Sequence, residues 1–246
     1  MLKKRIIISL TFLDGVLFRT KNFNPDYRYT KNFIDLWSID ELLIIDISKK
    51  KFSKTYINLI NFFSTNCFVP ISVGGGINSL KDADLYFQNG ADKILLGPRT
   101  INNPKIAGDI SMKYGKQSII QSLDCKKSVN KTYSVYCESG KKNMEKSPTL
   151  LGKKALLNGV GEILINSIDN DGSLLGYDLE LIKELSNNLN CPIIALGGAG
   201  NWSHFLELFN ETDISAACTQ NIFHFTEQSI ISAKEYLKNY KINIRN

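Results

Sequence analysis

The sequence predicts a (β/α)8 barrel, and three observations predict it. Eight short apolar runs alternate with amphipathic, helix-like stretches from one end of the chain to the other. Those runs are continuously hydrophobic, as in "ELLIIDI" and "CPIIAL", the pattern of parallel strands buried on both faces. The two halves of the chain also repeat one another. Barrels of this kind take about 250 residues as a single domain, and the chain has 246. An open doubly wound sheet is the alternative, but no glycine-rich dinucleotide turn follows the first strand.

In chain order, the strands are read at 5–10 ("RIIISL"), 42–47 ("LLIIDI"), 69–73 ("VPISV"), 93–97 ("KILLG"), 118–124 ("SIIQSLD"), 162–167 ("EILINS"), 192–196 ("PIIAL") and 213–218 ("DISAAC"). Helix-like segments between them include 53–64, 79–89, 178–189 and 227–239. The repeat is explicit. "IIISLT" (6–11) parallels "IIQSLD" (119–124), "DELLIIDI" (40–47) parallels "GEILINSID" (161–169), and "VPISVGGGI" (69–77) parallels "CPIIALGGAG" (191–200). The chain therefore reads as one barrel, 1–246, made of two half-barrels at roughly 1–115 and 116–246. A stretch at roughly 125–147 interrupts the period, and its "KTYSVYCESGKKN" alternates like a hairpin just after the fifth strand.

Composition narrows the class. Hydrophobic residues are 43% and charged residues 22%, the mixture of an ordinary soluble globular protein. No apolar run reaches the length of a membrane span, and the opening "MLKKRIIISL" stops too soon for a signal peptide. A cytoplasmic protein without a membrane partner is expected. The net charge of +6 is spread along the chain. Its densest clusters, Lys49–Lys51 and Lys141–Lys146, read as solvated faces, and no stacking aromatics accompany them. No nucleic-acid partner is expected. Five cysteines (Cys67, Cys125, Cys137, Cys191, Cys218) without a C-x-x-C pair point to reduced thiols and away from a zinc site. With only two histidines, no metal and no cofactor is expected.

The chemistry of such a barrel sits at the C-terminal ends of its strands. Here the polar strand ends are Thr11, Asp46, Gly74–Gly76, Asp124, Asp169–Gly172 and Gly197–Gly200. The turns "VGGGI" and "LGGAG" let backbone N–H groups approach a phosphate ahead of a helix N-terminus. Their repetition suggests a ligand with a phosphate at each end. The competing reading is that the glycines only permit tight turns.

The motifs "MLKKRIII", "DELLIIDI", "VGGGI", "GADKILL", "GEILINSIDNDGSLLGYD", "GGAG" and "IFHF" closely resemble the cyclase subunit of imidazole glycerol phosphate synthase, the HisF type, over essentially the whole chain. The resemblance implies a duplicated half-barrel that pairs with a HisH-type glutaminase. Ammonia released by glutamine hydrolysis at the bottom face travels through the barrel. At the top it reacts with a phosphoribulosyl-formimino intermediate, giving imidazole glycerol phosphate and an aminoimidazole carboxamide nucleotide.

Carried over by position, the resemblance is uneven. The catalytic acid of the fifth strand is present as Asp124, but its partner on the first strand is Thr11, whose hydroxyl cannot exchange protons near neutral pH as a carboxylate does. Gly76, Asp171, Gly172 and Gly198 match phosphate contacts. Others are lost: Asn-Thr after the fourth strand is Gly97-Pro98, Ala-Ser after the eighth is Gln220-Asn221, and the serine before the second glycine pair is Leu196. The ring at the entrance of the ammonia passage is complete as Arg5, Glu41, Lys93 and Glu162, and Asp92 matches an acid that faces the glutaminase. The competing reading of the ring is purely structural, since barrel bottoms often serve stability.

Three functions follow as expectations. The first is a HisF-like barrel that docks a HisH-type glutaminase as a heterodimer and conducts ammonia to an acceptor in surface-sugar biosynthesis, with a third amidotransferase or ligase. The second is an authentic cyclase subunit of histidine biosynthesis acting on a phosphorylated small molecule, with Asp124, Asp46 or a relocated group covering for the missing acid. The third is a scaffold that only activates the glutaminase.

Overall fold

Eight of the strands close into a parallel barrel in the computed structural model of the chain, which describes residues 3–30, 38–220 and 229–245. Strand β1 (Arg5–Leu13) runs up the wall and turns into an antiparallel hairpin, β2 (Val16–Lys21) and β3 (Asn24–Tyr29). There follow β4 (Glu41–Asp46), α1 (Lys54–Asn66), β5 (Ile71–Gly74), α2 (Leu80–Gln88), β6 (Lys93–Leu96), a 3-10 turn over Pro98–Asn102, and α3 (Pro104–Tyr114). The second half opens on β7 (Ile119–Lys127), which continues into the short antiparallel strands β8 (Tyr133–Cys137) and β9 (Lys142–Asn143). Then come α4 (Pro148–Leu157), β10 (Glu162–Ser167), α5 (Leu179–Asn188), β11 (Ile193–Leu196), α6 (Trp202–Glu211), β12 (Ala216–Thr219) and α7 (Ser229–Asn239). The barrel order is β1-β4-β5-β6-β7-β10-β11-β12, and β12 pairs back onto β1.

Five of the helices start where the sequence supplies a side-chain cap. Ser53, Ser79, Ser147, Asp178 and Asn201 accept from backbone N–H groups of the first turns of α1, α2, α4, α5 and α6, satisfying donors that a helix leaves unpaired. Two apolar clusters follow from strand alternation. One fills the layer between strands and helices, with Tyr56, Phe63, Tyr86 and Phe205 fully buried. The other fills the barrel itself, with Ile7, Leu43, Leu95, Ile120, Leu164, Ile194 and Cys218.

The predicted strand positions are all occupied, with shifted ends. Shifts of three residues occur at the start of β12 and at the ends of β1 and β7, the two copies of the repeated Ser-Leu strand end. Both run to nine residues because each continues into a hairpin. The hairpin after β7 falls in the predicted interruption at 125–147; the β2–β3 hairpin is an addition that no turn signal in the sequence reading marked. Thr11 pairs with Phe18 in one hairpin and Asp124 with Tyr136 in the other, so the two positions are equivalent in the halves. The motif "IFHF" and Asn221 lie outside the described residues. Among the described residues no helix is long and apolar enough to cross a membrane.

Candidate functional site

The first residues of β1, β4, β6 and β10 meet at the N-terminal mouth of the barrel. Arg5 donates from Nη1 to Glu41 Oε1 at 2.5 Å and from Nη2 to Glu162 Oε1. Lys93 Nζ lies 3.0 Å from Glu162 Oε2 and 3.4 Å from Glu41 Oε2. Each carboxylate is therefore held between both cations, and the four residues close a ring of alternating charge. Burial works against the charge on Glu162, but Arg5 and Lys93 outweigh it and hold its carboxyl below the usual range; the same carboxylates raise the Arg5 guanidinium. Asp92 is exposed beside the ring, accepting from the Ile71 amide at 2.8 Å. Directly above the ring the interior is the apolar cluster. A charged mouth under an apolar interior opposes the entry of ions, whose desolvation is costly.

At the opposite end lies a cavity of about 390 Å³ lined by Thr11, Asp46, Lys51, Gly76, Arg99, Ser122, Asp124, Asn166 and Gln220 among others. Its size suits a small ligand. Asp124 stands half-buried in the wall, where burial pushes its carboxyl up to about 6, against the pull of hydrogen bonds from Ser122 and Asn166. The Ser122 hydroxyl donates to it at 2.6 Å. A carboxyl that titrates near 6 exchanges protons readily at neutral pH. Thr11, in contrast, is buried and spent on structure. Its hydroxyl accepts from Gln220 Nε2 at 3.3 Å, and Gln220 Oε1 in turn accepts from the amide of Thr20 on β2 at 3.2 Å.

Of the predicted phosphate residues, the structure brings only Gly76 to the cavity wall. Asp171 is buried and turned to the β2–β3 hairpin, accepting from Thr20 Oγ1 at 3.0 Å and the Phe23 amide at 2.9 Å. Gly172, at φ +70°, lies against the same hairpin; a Cβ there would stand 2.4 Å from the Thr20 carbonyl oxygen. Gly198, at φ +103°, is filled by its own chain, since a Cβ would stand 1.9 Å from the Gly176 carbonyl oxygen. Among the described residues, these three positions are where neighbouring loops pack together.

Sequence reasoning missed Lys51, Ser122 and Asn166. Ser122 and Asn166 were open to it, because each lies two residues or one paired strand from Asp124 on the inward face: Asn166 is the Cα partner of Asp124. Lys51 was grouped with Lys49 and Lys50 as a solvated run. Those two are exposed, but Lys51 is turned into the cavity wall, where its Nζ donates to the Asp46 carbonyl at 2.6 Å. The Lys141–Lys146 cluster is indeed exposed at each lysine. The five thiols are free, and among the described residues no three His, Cys, Asp or Glu side chains converge as a metal site.

Comparison with known proteins places this geometry among relatives. A family described as histidine biosynthesis protein matches residues 10–229. The chain is 37% identical to the imidazole glycerol phosphate synthase subunit HisF of Chlorobaculum tepidum, 35% to that of a Hydrogenobaculum species and 33% to that of Streptococcus mutans. Each similarity covers 100% of both chains.

Proposed function

The chain belongs to the histidine biosynthesis protein family, among its HisF-type barrels, and from that premise we propose that it is the ammonia-using subunit of a two-protein glutamine amidotransferase in the cytoplasm. The observation that carries this reading is the closed Arg5–Glu41–Lys93–Glu162 ring beneath an apolar interior, with an acid-bearing cavity above. A HisH-type glutaminase docks at the N-terminal face, where Asp92 stands beside the ring. Ammonia enters through the ring and crosses the apolar interior as a neutral molecule. It meets its acceptor in the cavity, where Asp124 moves the protons.

The relatives' name supports the cyclase reaction first: ammonia joins the phosphoribulosyl-formimino intermediate, and imidazole glycerol phosphate leaves. A second reading is favoured by one observation, the Thr11 hydroxyl bound to Gln220 where the resemblance places the second acid. In that reading the acceptor is a surface sugar, handled with a third amidotransferase or ligase. One assay separates them. The barrel with its glutaminase is given the histidine-pathway intermediate with glutamine, or with an ammonium salt. Turnover in both supports the cyclase. Absent turnover, beside a glutaminase that the barrel still stimulates, rules the cyclase out and leaves the second reading. Thr11→Asp adds a further arm: it raises turnover if position 11 is all that the cyclase lacks.

A further inference from the structure

Condensing ammonia with a carbonyl needs a base at nitrogen and an acid at oxygen, and Asp124 fills one of these places at a time. Among the described residues, the carboxylates that line the cavity are Asp46, Asp124 and Glu138. Asp46 is closed off. Only 2% of it is exposed, and its Oδ1 accepts from the Ser48 amide at 2.8 Å. Lys51 covers that strand end with its stem over Gly76, where a Cβ would stand 2.6 Å from Lys51 Cγ. Glu138 is the opposite case: it follows β8 at the mouth of the cavity, and 45% of its side chain is open to solvent. Tyr136 pairs with Asp124, so strand alternation brings Glu138, two residues on, toward the face that Asp124 occupies. The Cys137 thiol beside it feels both carboxylates, together with Arg99 and Lys142. Arg99, on the 3-10 turn after β6, reaches across the rim and places Nη1 3.3 Å from Glu138 Oε1. Glu138, Ser139 and Gly140 are left-handed in succession, at φ +54°, +56° and +77°. Residues with a side chain rarely adopt this conformation, and such outliers gather at functional turns.

We propose that Glu138 is the second acid–base group of the cavity, doing from the β8 hairpin what the Thr11 hydroxyl cannot do from β1, with Arg99 as its positioning residue. This rests on the cavity being the place where ammonia meets a carbonyl acceptor. Ammonia adds to the carbonyl carbon, a C–N bond forms, and the π pair moves to oxygen. Glu138 takes a proton from the new ammonium nitrogen while Asp124 gives one to the oxygen, leaving a neutral carbinolamine. The second exchange runs in reverse. Glu138 returns its proton to the hydroxyl, Asp124 takes one from nitrogen, the C–O bond breaks and water leaves. The product is an imine, and both carboxyls are as they began. Asp124, which burial pushes up to about 6, is suited to start as the acid. A carboxylate facing a guanidinium is suited to start as the base.

The test uses the full chain with an ammonium salt and the phosphoribulosyl-formimino intermediate as the probe acceptor. Glu138→Gln should lower kcat by about 100-fold or more, with KM held and the thermal melt unchanged, since the residue is exposed. Its kcat–pH profile should lose the rising acidic limb and keep the decline above about 6 that belongs to Asp124. Glu138→Ala should regain rate when sodium formate is added, because a small carboxylate fits an open position and takes the proton. A residue that only shapes the mouth would gain nothing from formate. Arg99→Met should lower kcat less than Glu138→Gln does, and Arg99→Lys should restore most of the loss. Full kcat in Glu138→Gln, or no formate rescue of Glu138→Ala, would overturn the proposal while an active wild type upholds the reading of the cavity. An inactive wild type would overturn that reading, and the proposal with it.

Discussion

Gln220, at the end of β12, donates its side-chain amide to the hydroxyl of Thr11 on β1 across 3.3 Å, closing the seam of the barrel at the height of Asp124. Both residues are buried. Replacing Thr11 by valine keeps the shape and removes the acceptor. A buried amide without its partner costs about 1–3 kcal/mol, so Thr11→Val should lose that much in urea unfolding. In a double-mutant cycle with Gln220→Leu, which also strands the Thr20 amide, the two losses should be less than additive, and an additive result would show that the pair is uncoupled.

Asp124 titrates near 6, above the ordinary 3.8. Between those values the native state holds a proton that the unfolded chain releases, so this carboxyl makes stability fall as pH rises across the window. Asp124→Asn should therefore be more stable than the wild type above pH 6, by on the order of 2 kcal/mol, with the difference gone below the usual carboxyl range. Carbon NMR of the Asp124 carboxyl should give the midpoint directly. Ser122→Ala should move that midpoint upward, since the serine donates to the charged form.

The ring predicts a loss of stability that depends on pH. Lys93→Met leaves Glu162 and Glu41 with one cation between them. It should cost on the order of 3 kcal/mol at neutral pH. Because the Glu162 carboxyl is depressed in the native state, that stabilisation is fully present above the ordinary carboxyl range and is lost as pH falls below it, through the depressed native value. The variant and the wild type should converge in acid unfolding curves.

The interior predicts a split between nitrogen sources. Ala216 is fully buried in the apolar cluster, and Ala216→Leu narrows it at about 1–3 kcal/mol of overpacking. Product formation by the complex should fall with glutamine and hold with an ammonium salt, which reaches the cavity from the top. Equal rates with glutamine in variant and wild type would favour a barrel that only activates its glutaminase.

A buried pair outside the site ties α7 to the barrel. Lys234 Nζ lies 2.7 Å from Asp40 Oδ1, while Asp40 Oδ2 accepts from the Ile6 amide at 2.8 Å. Lys234→Met strands the carboxylate and should cost about 3–5 kcal/mol near pH 7. Burial already raises the Asp40 carboxyl against the pull of Lys234, so the penalty should shrink where the carboxyl is protonated.

The ring was legible through the family resemblance, which named its four members; parallel strands in a barrel then bring these strand-starting residues to one mouth. Asp124 and Thr11 were legible as equivalent ends of a repeat. The loop packing around Asp171, Gly172 and Gly198 was not. Glycines and an aspartate in a loop after a strand look alike whether they cradle an anion or receive another loop. The β2–β3 hairpin that claims Asp171 comes from residues 151 positions away. Lys51 was illegible for a related reason: a run of three lysines carries no period that says which one turns inward.

The sequence by itself therefore determined the barrel, its duplication, the charged mouth and the substitution at position 11. The barrel and its repeat follow from local alternation and position along a strand, whereas the charged mouth and the substitution at position 11 were read from the family resemblance. Only the tertiary structure decided which polar groups share the cavity. It tied Thr11 to Gln220, lifted Asp124 toward neutral pH, closed the second glycine turn with the Gly176 carbonyl and swung Lys51 over Gly76. Each of those depends on the packing of turns and strand ends around the rim, where local side-chain periodicity sets nothing.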